Sequence, residues 1–329
     1  NIFKQHIVSN LMGIFAFNSK ANEQVHSWNL KLEEILAKSL PKDREMIDRL
    51  NARKGFALSG LFPVFFGEMF GLETRGEVAN VNAAFNLSCG YVDRYIDGQL
   101  GLETSPDLAD VRGLAKEIIG GFYGLFHGKD PSNEYLRSVK PLVSYVMSNF
   151  LASSHADLMK VIKGYKEAAE KELDAKTIEE KEKARIEIGR TYATVASFMI
   201  DSFSEGKLEE SHRRAIEDYM IGSTIADDFA DIFIDMRTPT GSHLNDRAKQ
   251  GGNLPYILLS QFAESVRYFQ KGKSELKDTK QRREYVSLVA IGLLFYSKTF
   301  VIKAAEHFIH FYLPNMLNPV RKIGSYATH

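Results

Sequence analysis

The chain has 329 residues, 44% hydrophobic and 26% charged, an ordinary globular composition that is long enough for one large domain. Lys and Arg total 42, as do Asp and Glu, so the formal net charge is zero; without a global field, no nucleic-acid partner is expected. The single cysteine, Cys89, rules out an intramolecular disulfide and a thiolate zinc cage and suits a reducing cytosol, so a cytoplasmic location is expected.

Helical periodicity dominates. From Val25 to Ala37, Trp28, Leu30, Leu32, Ile35 and Leu36 recur mostly at three-to-four spacing among polar residues, the pattern of an amphipathic helix. The run from Gly55 to Phe70 is apolar nearly all round and reads as a buried helix stopped by Gly71. It is also the longest apolar candidate, but Pro63 breaks it and Glu68 charges it. No run therefore reaches the ~18 residues that span a bilayer, and no transmembrane segment is expected. Thr74 with Glu77 reads as a capping box opening a helix from Arg75 to Gln99, and Ser105-Pro106 as a third helix start. Residues Lys163 to Glu187 are rich in Lys and Glu, predicting either the solvated end of a long helix pair or a mobile connection. Strand signals are nearly absent, so the expected fold is all-α: one helical bundle over residues 1–329.

Aspartates carry the chemistry. Asp93 and Asp97 are four apart near the end of the 75–99 helix, on one face and within reach of a common cation. The second cluster lies in Ile225-Ala226-Asp227-Asp228-Phe229-Ala230-Asp231-Ile232-Phe233-Ile234-Asp235. Asp227, Asp231 and Asp235 fall at i, i+4 and i+8, while Phe229, Ile232 and Phe233 require the same helix to pack in a core. Three stacked carboxylates on a core-packed helix repel one another unless cations compensate them. Mg²⁺ does this well, because it takes oxygen ligands and is usually held by one or two carboxylates plus phosphate oxygens. Downstream, Asn245-Asp246-Arg247-Ala248-Lys249-Gln250-Gly251-Gly252-Asn253-Leu254-Pro255 offers Arg247 and Lys249 as charges for a diphosphate. The histidines, among them His127, His155, His212, His243, His307 and His310, are scattered and form no site by themselves.

In order and spacing, these segments resemble the trans-isoprenyl diphosphate synthase branch of the class I isoprenoid (terpenoid) synthase superfamily. Ser223-Thr224-Ile225-Ala226-Asp227-Asp228-Phe229-Ala230-Asp231 and Gly251-Gly252-Asn253-Leu254-Pro255 stand for that family's second aspartate-rich motif and the stretch that follows it. Asp93-Arg94-Tyr95-Ile96-Asp97 falls at the first motif, Arg53-Lys54-Gly55 near the diphosphate-binding turn, and Arg190-Thr191 where a Lys-Thr pair is common. The resemblance implies a helical bundle whose two motifs face each other across a central apolar cavity. Three Mg²⁺ ions would bridge Asp93, Asp97, Asp227, Asp231 and Asp235 to a prenyl diphosphate, with Asp228 also catalytic. Arg53, Lys54, Arg94, Arg190, Arg247 and Lys249 would bind the diphosphate. The family habit is a homodimer. Ser88, Cys89 and Thr224 fall where such enzymes set pocket depth, and the small groups at 88 and 89 either leave room for a tail of C15 or more or serve close helix packing. Some of the 22 Phe and 14 Tyr could offer π faces to a carbocation.

The departures bear on the reaction. Arg94 replaces the second aspartate of the first motif, and Asp97 is followed by Gly98-Gln99-Leu100 instead of Arg-Arg-Gly. The upstream basic turn has decayed to Arg53-Lys54-Gly55-Phe56-Ala57-Leu58, and Thr224 replaces the usual Gln. These losses fall on the isopentenyl diphosphate site and spare the ionising aspartates. The expected activity is therefore Mg-dependent ionisation of an allylic prenyl diphosphate, with the cation quenched by cyclisation or elimination: a terpene synthase on a prenyl-synthase scaffold. The alternatives are a chain-elongating prenyl diphosphate synthase, a head-to-head prenyltransferase, and a non-catalytic prenyl synthase subunit.

Overall fold

Helix forms almost wherever the chain is described, which in the computed structural model is residues 20–54, 56–100, 108–235 and 243–307. Residues 20–35 form α1. Trp28, Leu32 and Leu36 are buried at four-residue spacing, whereas Leu30 lies outside at 56% exposure. The Trp28 Nε1–H donates to Asn51 Oδ1 at 2.7 Å, tying α1 to α2 (Pro41–Lys54).

The apolar run expected as one buried helix is divided into α3 (Phe56–Ser59) and α4 (Phe62–Met69). Pro63 lies in the first turn of α4, where its missing N–H interrupts nothing, so it starts a helix there and breaks none. Gly71 ends α4 with φ of 72°, a left-handed conformation that costs other residues steric strain. The Gly71 and Leu72 N–H groups donate back to Glu68 O at 3.1 Å and Gly67 O at 2.8 Å, which satisfies the last carbonyls of the helix.

The next helix, α5 (Glu77–Leu100), starts later than the capping box predicts. Thr74 pairs with Ser204 in an isolated antiparallel bridge, and the Arg75 N–H donates to Phe203 O at 2.8 Å. Cross-chain bonds hold Thr74 and Arg75 extended, so neither can open the helix. Beyond that bridge, no strand occurs among the described residues. Ser105-Pro106 lies outside the described residues.

There follow α6 (Leu108–Phe126), α7 (Glu134–Ser148), a 3₁₀ turn (Ala152–Ser154) and α8 (His155–Asp174). The remaining helices are α9 (Ile178–Phe203), α10 (Glu210–Asp235), α11 (His243–Lys249), α12 (Leu254–Glu275) and α13 (Thr279–His307). The Lys/Glu-rich stretch thus resolves into a helix pair with a tight turn. Thr177 Oγ1 accepts from the Glu180 N–H at 3.1 Å, and Glu180 Oε2 accepts from the Thr177 N–H at 3.0 Å, a complete capping box opening α9.

Two large apolar clusters build most of the core among the described residues, beside two small ones. One gathers Trp28, Phe85, Phe122, Leu142 and Leu158; the other surrounds Tyr219, with Phe66 edge-on at 5.2 Å and Phe269 at 5.5 Å. Helix α9 serves both, giving Val195, Met199 and Phe203 to the first and Ala193, Ala196 and Ile200 to the second. It also lies very close to α10, since a Cβ on Gly189 would come within 2.8 Å of Ile221 Cα. That approach brings the longer side chains of α9 within reach of the α10 aspartates. Among the described residues no helix is long and apolar enough to cross a membrane.

Candidate active site

Helix α5 runs through both first-motif positions, with Asp93 exposed and Asp97 in the next turn. One turn before Asp93, Cys89 is buried at 4% exposure. Burial pushes its thiol up to about 12, against hydrogen bonds to Tyr165 and Ser88. Tyr165 of α8 packs against Tyr192 of α9, with ring centroids 5.8 Å apart. Burial, reinforced by the neighbouring Cys89, holds Tyr165 well above the usual phenol range, so it stays a neutral hydroxyl. Asp93 thus stands above a buried contact of α5, α8 and α9.

Arg185, on α9, organises the other side. Its Nε donates to Asp228 Oδ1 at 2.6 Å, and Nη2 approaches the same oxygen at 2.6 Å and Asp227 Oδ2 at 3.9 Å. Nη1 lies 3.5 Å from Glu172 Oε1 near the end of α8. Burial works against the charge of Arg185, but Asp228 and then Glu172 outweigh it and raise the pKa well above its ordinary value. Three carboxylates from two helices therefore converge on one permanently charged guanidinium. Glu172 is also raised, first by removal from water, against the pull of Arg185 and with help from the negative charges of Asp228 and Asp93. The α5 and α10 aspartates thus act electrostatically on one shared carboxyl group.

Asp228 is 2% exposed. Its Oδ2 is buried and accepts no hydrogen bond among the described residues; His243 Nδ1 of α11 stands 3.9 Å from it. Asp227, by contrast, keeps 50% of its side chain exposed. On the same side, the Tyr296 hydroxyl of α13 hydrogen-bonds Ser223 and feels the charge of Asp227. Phe229 stacks on Phe300 at 4.5 Å, anchoring this turn of α10 against α13.

Other expected residues lie elsewhere. Arg190 is paired with Glu217 at 3.0 Å and Glu187 at 3.3 Å on an exposed face of α9. Arg247 pairs with Glu182. Lys249 borders an open polar depression of about 400 Å³ shared with Lys176, Thr177, Asp246 and Gln250. Ser88 and Thr224 are buried, and their hydroxyls donate to Phe85 O at 2.7 Å and Met220 O at 2.9 Å. Arg53 and Lys54 end α2, Arg94 and Asp97 lie on α5, and Asp231 and Asp235 on α10. The side chains of these six lie outside the described residues. The backbone of α10 continues unbroken through Asp235, so Asp227, Asp231 and Asp235 occupy successive turns of one helix. No group of three or more acidic, His or Cys side chains is gathered for a metal ion among the described residues.

Sequence reasoning missed Arg185, Glu172, Tyr165, Tyr192, Tyr296 and His243. A signal for Arg185 does exist: it borders the buried stripe of Ala184, Ile188, Thr191 and Val195, where the charged stretch turns apolar. A cation beside such a stripe implies a buried anion elsewhere in the chain.

The sequence matches no protein-family model and no curated protein. A solved structure described as "Hedycaryol apo" shares the fold at a TM-score of 0.55 and 11% identity, over 87% of this chain and 94% of that one. Another, described as "Crystal structure of a-eudesmol synthase", aligns at a TM-score of 0.48 and 12% identity, over 82% and 94%. The chain therefore shares the all-helical fold of the structure described as "Hedycaryol apo".

Proposed function

We propose that this protein is a class I terpene synthase, which ionises an allylic prenyl diphosphate and quenches the carbocation by cyclisation or elimination. The observation that carries this reading is the meeting of Asp227 and Asp228 from α10 with Glu172 from α8 at Arg185, with the charge of Asp93 from α5 also felt at Glu172. The shared fold supports it.

Asp93 is exposed and Asp227 keeps half its side chain exposed, and carboxylate oxygen is the donor chemistry that Mg²⁺ takes. Asp228 is committed to Arg185. By this reading a magnesium site would be held by Asp93 and Asp227 and, from their helix positions, by Asp97, Asp231 and Asp235, whose residue types suit that ion. Mg²⁺ there would supply Lewis-acid charge to the departing diphosphate. The resemblance implies three ions, a homodimer and a cytoplasmic location, and these are part of the proposal.

Arg185 holds Asp228 and so fixes the rotation of α10 at this turn, setting the direction of Asp227. The buried hydroxyls of Tyr165 and Tyr192 and the Cys89 thiol remain protonated and present no anionic nucleophile to a carbocation. Arg53, Lys54, Arg94, Arg247 and Lys249 are proposed diphosphate contacts on the resemblance alone. Arg190, held in its two ion pairs, would have to leave them to contribute.

The test incubates the full chain and Mg²⁺ with geranyl, farnesyl and geranylgeranyl diphosphates, with and without isopentenyl diphosphate. The expected result is diphosphate release with a hydrocarbon or alcohol formed from a single prenyl substrate. Longer prenyl diphosphates appearing only with isopentenyl diphosphate would establish chain elongation, and release from no substrate would remove the enzymatic reading.

A further inference from the structure

His243 is one of the most buried polar residues among those described, at 3% exposure, yet it opens the short helix α11. Three anchors pin that helix. Leu244 packs with Ile232 of α10 and Ile257 of α12. Asp246 accepts from Lys181 Nζ at 2.6 Å, and Arg247 pairs with Glu182, both partners lying early in α9. These contacts hold the His243 imidazole against the one buried carboxylate oxygen of the site that has no hydrogen-bond donor among the described residues, Asp228 Oδ2.

A buried carboxylate oxygen without a donor is costly, and a buried imidazole beside it is the group able to supply one. The present 3.9 Å separation is too long for a hydrogen bond; an inward shift of about 1 Å brings it to ordinary N–H···O length. Arg185 already grips Oδ1 from α9 at 2.6 Å. A second donor from α11 fixes the carboxylate plane from both sides, and with it the Asp227 backbone and the guanidinium edge that faces Asp227 and Glu172.

We propose that His243 is a positioning residue: with α11 clasped to α9 and α10, its imidazole moves the last ångström inward, and its Nδ1–H takes Asp228 Oδ2 and locks the Arg185–Asp228 pair in the orientation that ionises the substrate. The inference rests on the proposed diphosphate-releasing activity and adds to it a residue and an element that the aspartate motifs do not contain. His243 acts through Asp228 and does not touch the substrate.

The test compares wild type, His243→Leu, His243→Asn and Asp246→Asn as full chains, following diphosphate release from whichever of the three prenyl diphosphates is turned over with Mg²⁺. Thermal melting runs in parallel. Leucine fills the space without a donor, while asparagine places an N–H close to the Nδ1 position. His243→Leu is expected to lower kcat about tenfold, the loss typical of one hydrogen bond to a charged group, with KM changed less than about twofold. His243→Asn should recover most of that loss. Asp246→Asn, which loosens the α11 clasp at a part-buried surface pair, should lower kcat in the same direction, and the double variant with His243→Leu should be no slower than His243→Leu alone. Wild-type kcat in His243→Leu, or equal loss in the Leu and Asn variants at matched melting temperature, overturns the inference while leaving the activity intact. A full additional loss in the double variant overturns the clasp. A wild-type chain that releases diphosphate from none of the substrates overturns the functional reading, and the inference with it.

Discussion

Arg185 Nε meets Asp228 Oδ1 at 2.6 Å across the α9–α10 seam, and the same guanidinium spans Asp227 and Glu172. The pair is 43 residues apart in sequence, so its formation depends on how closely the two helices approach. Gly189, one turn further along α9, permits that approach by presenting no Cβ to Ile221.

Replacing Arg185 by Met leaves Asp228 charged and unpaired in a site where it is 2% exposed. Removal of one partner from a buried pair costs about 3–5 kcal/mol. Chemical denaturation should show that loss for Arg185→Met, and a partial recovery of stability in the double variant Arg185→Met/Asp228→Asn, in which the most buried of the three carboxylates no longer carries charge. A single variant as stable as wild type would mean that the pair does not form in solution.

Asp227 has half its side chain exposed, and Asp93 is exposed. Asp227→Asn and Asp93→Asn should each cost much less folding stability than Arg185→Met, because neither side chain is deeply buried. Each should lower kcat for diphosphate release by about 10²-fold or more if it holds charge against the leaving group. Steady-state kinetics beside melting curves separates the two effects, and full activity in either variant would remove that aspartate from the site.

Gly189→Ala places a methyl 2.8 Å from the backbone of Ile221, where no flexible side chain can yield. The helices must separate, at about 1–3 kcal/mol for overpacking of this kind. Calorimetry should record the lower melting temperature, and activity should fall further than stability alone explains, because Arg185 and Asp228 are drawn apart. Gly164, whose added Cβ meets nothing within 4 Å, is the control position.

The thiol of Cys89 is pushed by burial from 9.0 to about 12. A raised folded-state pKa on an acidic group favours the neutral form, so between these values the unfolded chain binds fewer protons than the native one. The contribution is therefore complete below pH 9.0 and lost as pH rises toward 12. The native protein at pH 8 should resist a disulfide-exchange reagent and react with one equivalent only after unfolding in guanidinium. Rapid native labelling would show that Cys89 is accessible.

By itself the sequence determined what depends on residues a few positions apart. The 3.6-residue repeat placed the helices, Gly71 fixed the end of α4, and the four-residue spacing of Asp227, Asp231 and Asp235 set them on successive turns of α10. Helical hydrogen bonds and side-chain faces are local, so a linear reading can see them. Where a local pattern competed with a distant bond, the distant bond prevailed: Thr74 forms a bridge with Ser204 and does not cap α5. Only the tertiary structure decided which charges meet. Arg185 and Glu172 lie in a stretch whose composition is that of a solvated surface, yet their side chains reach Asp228 because α8, α9 and α10 pack there. His243 comes to the same carboxylate through Lys181 and Asp246, 65 residues apart. The partner of a buried charge is set by helix separation and register, and neither is written in the spacing of residues along the chain.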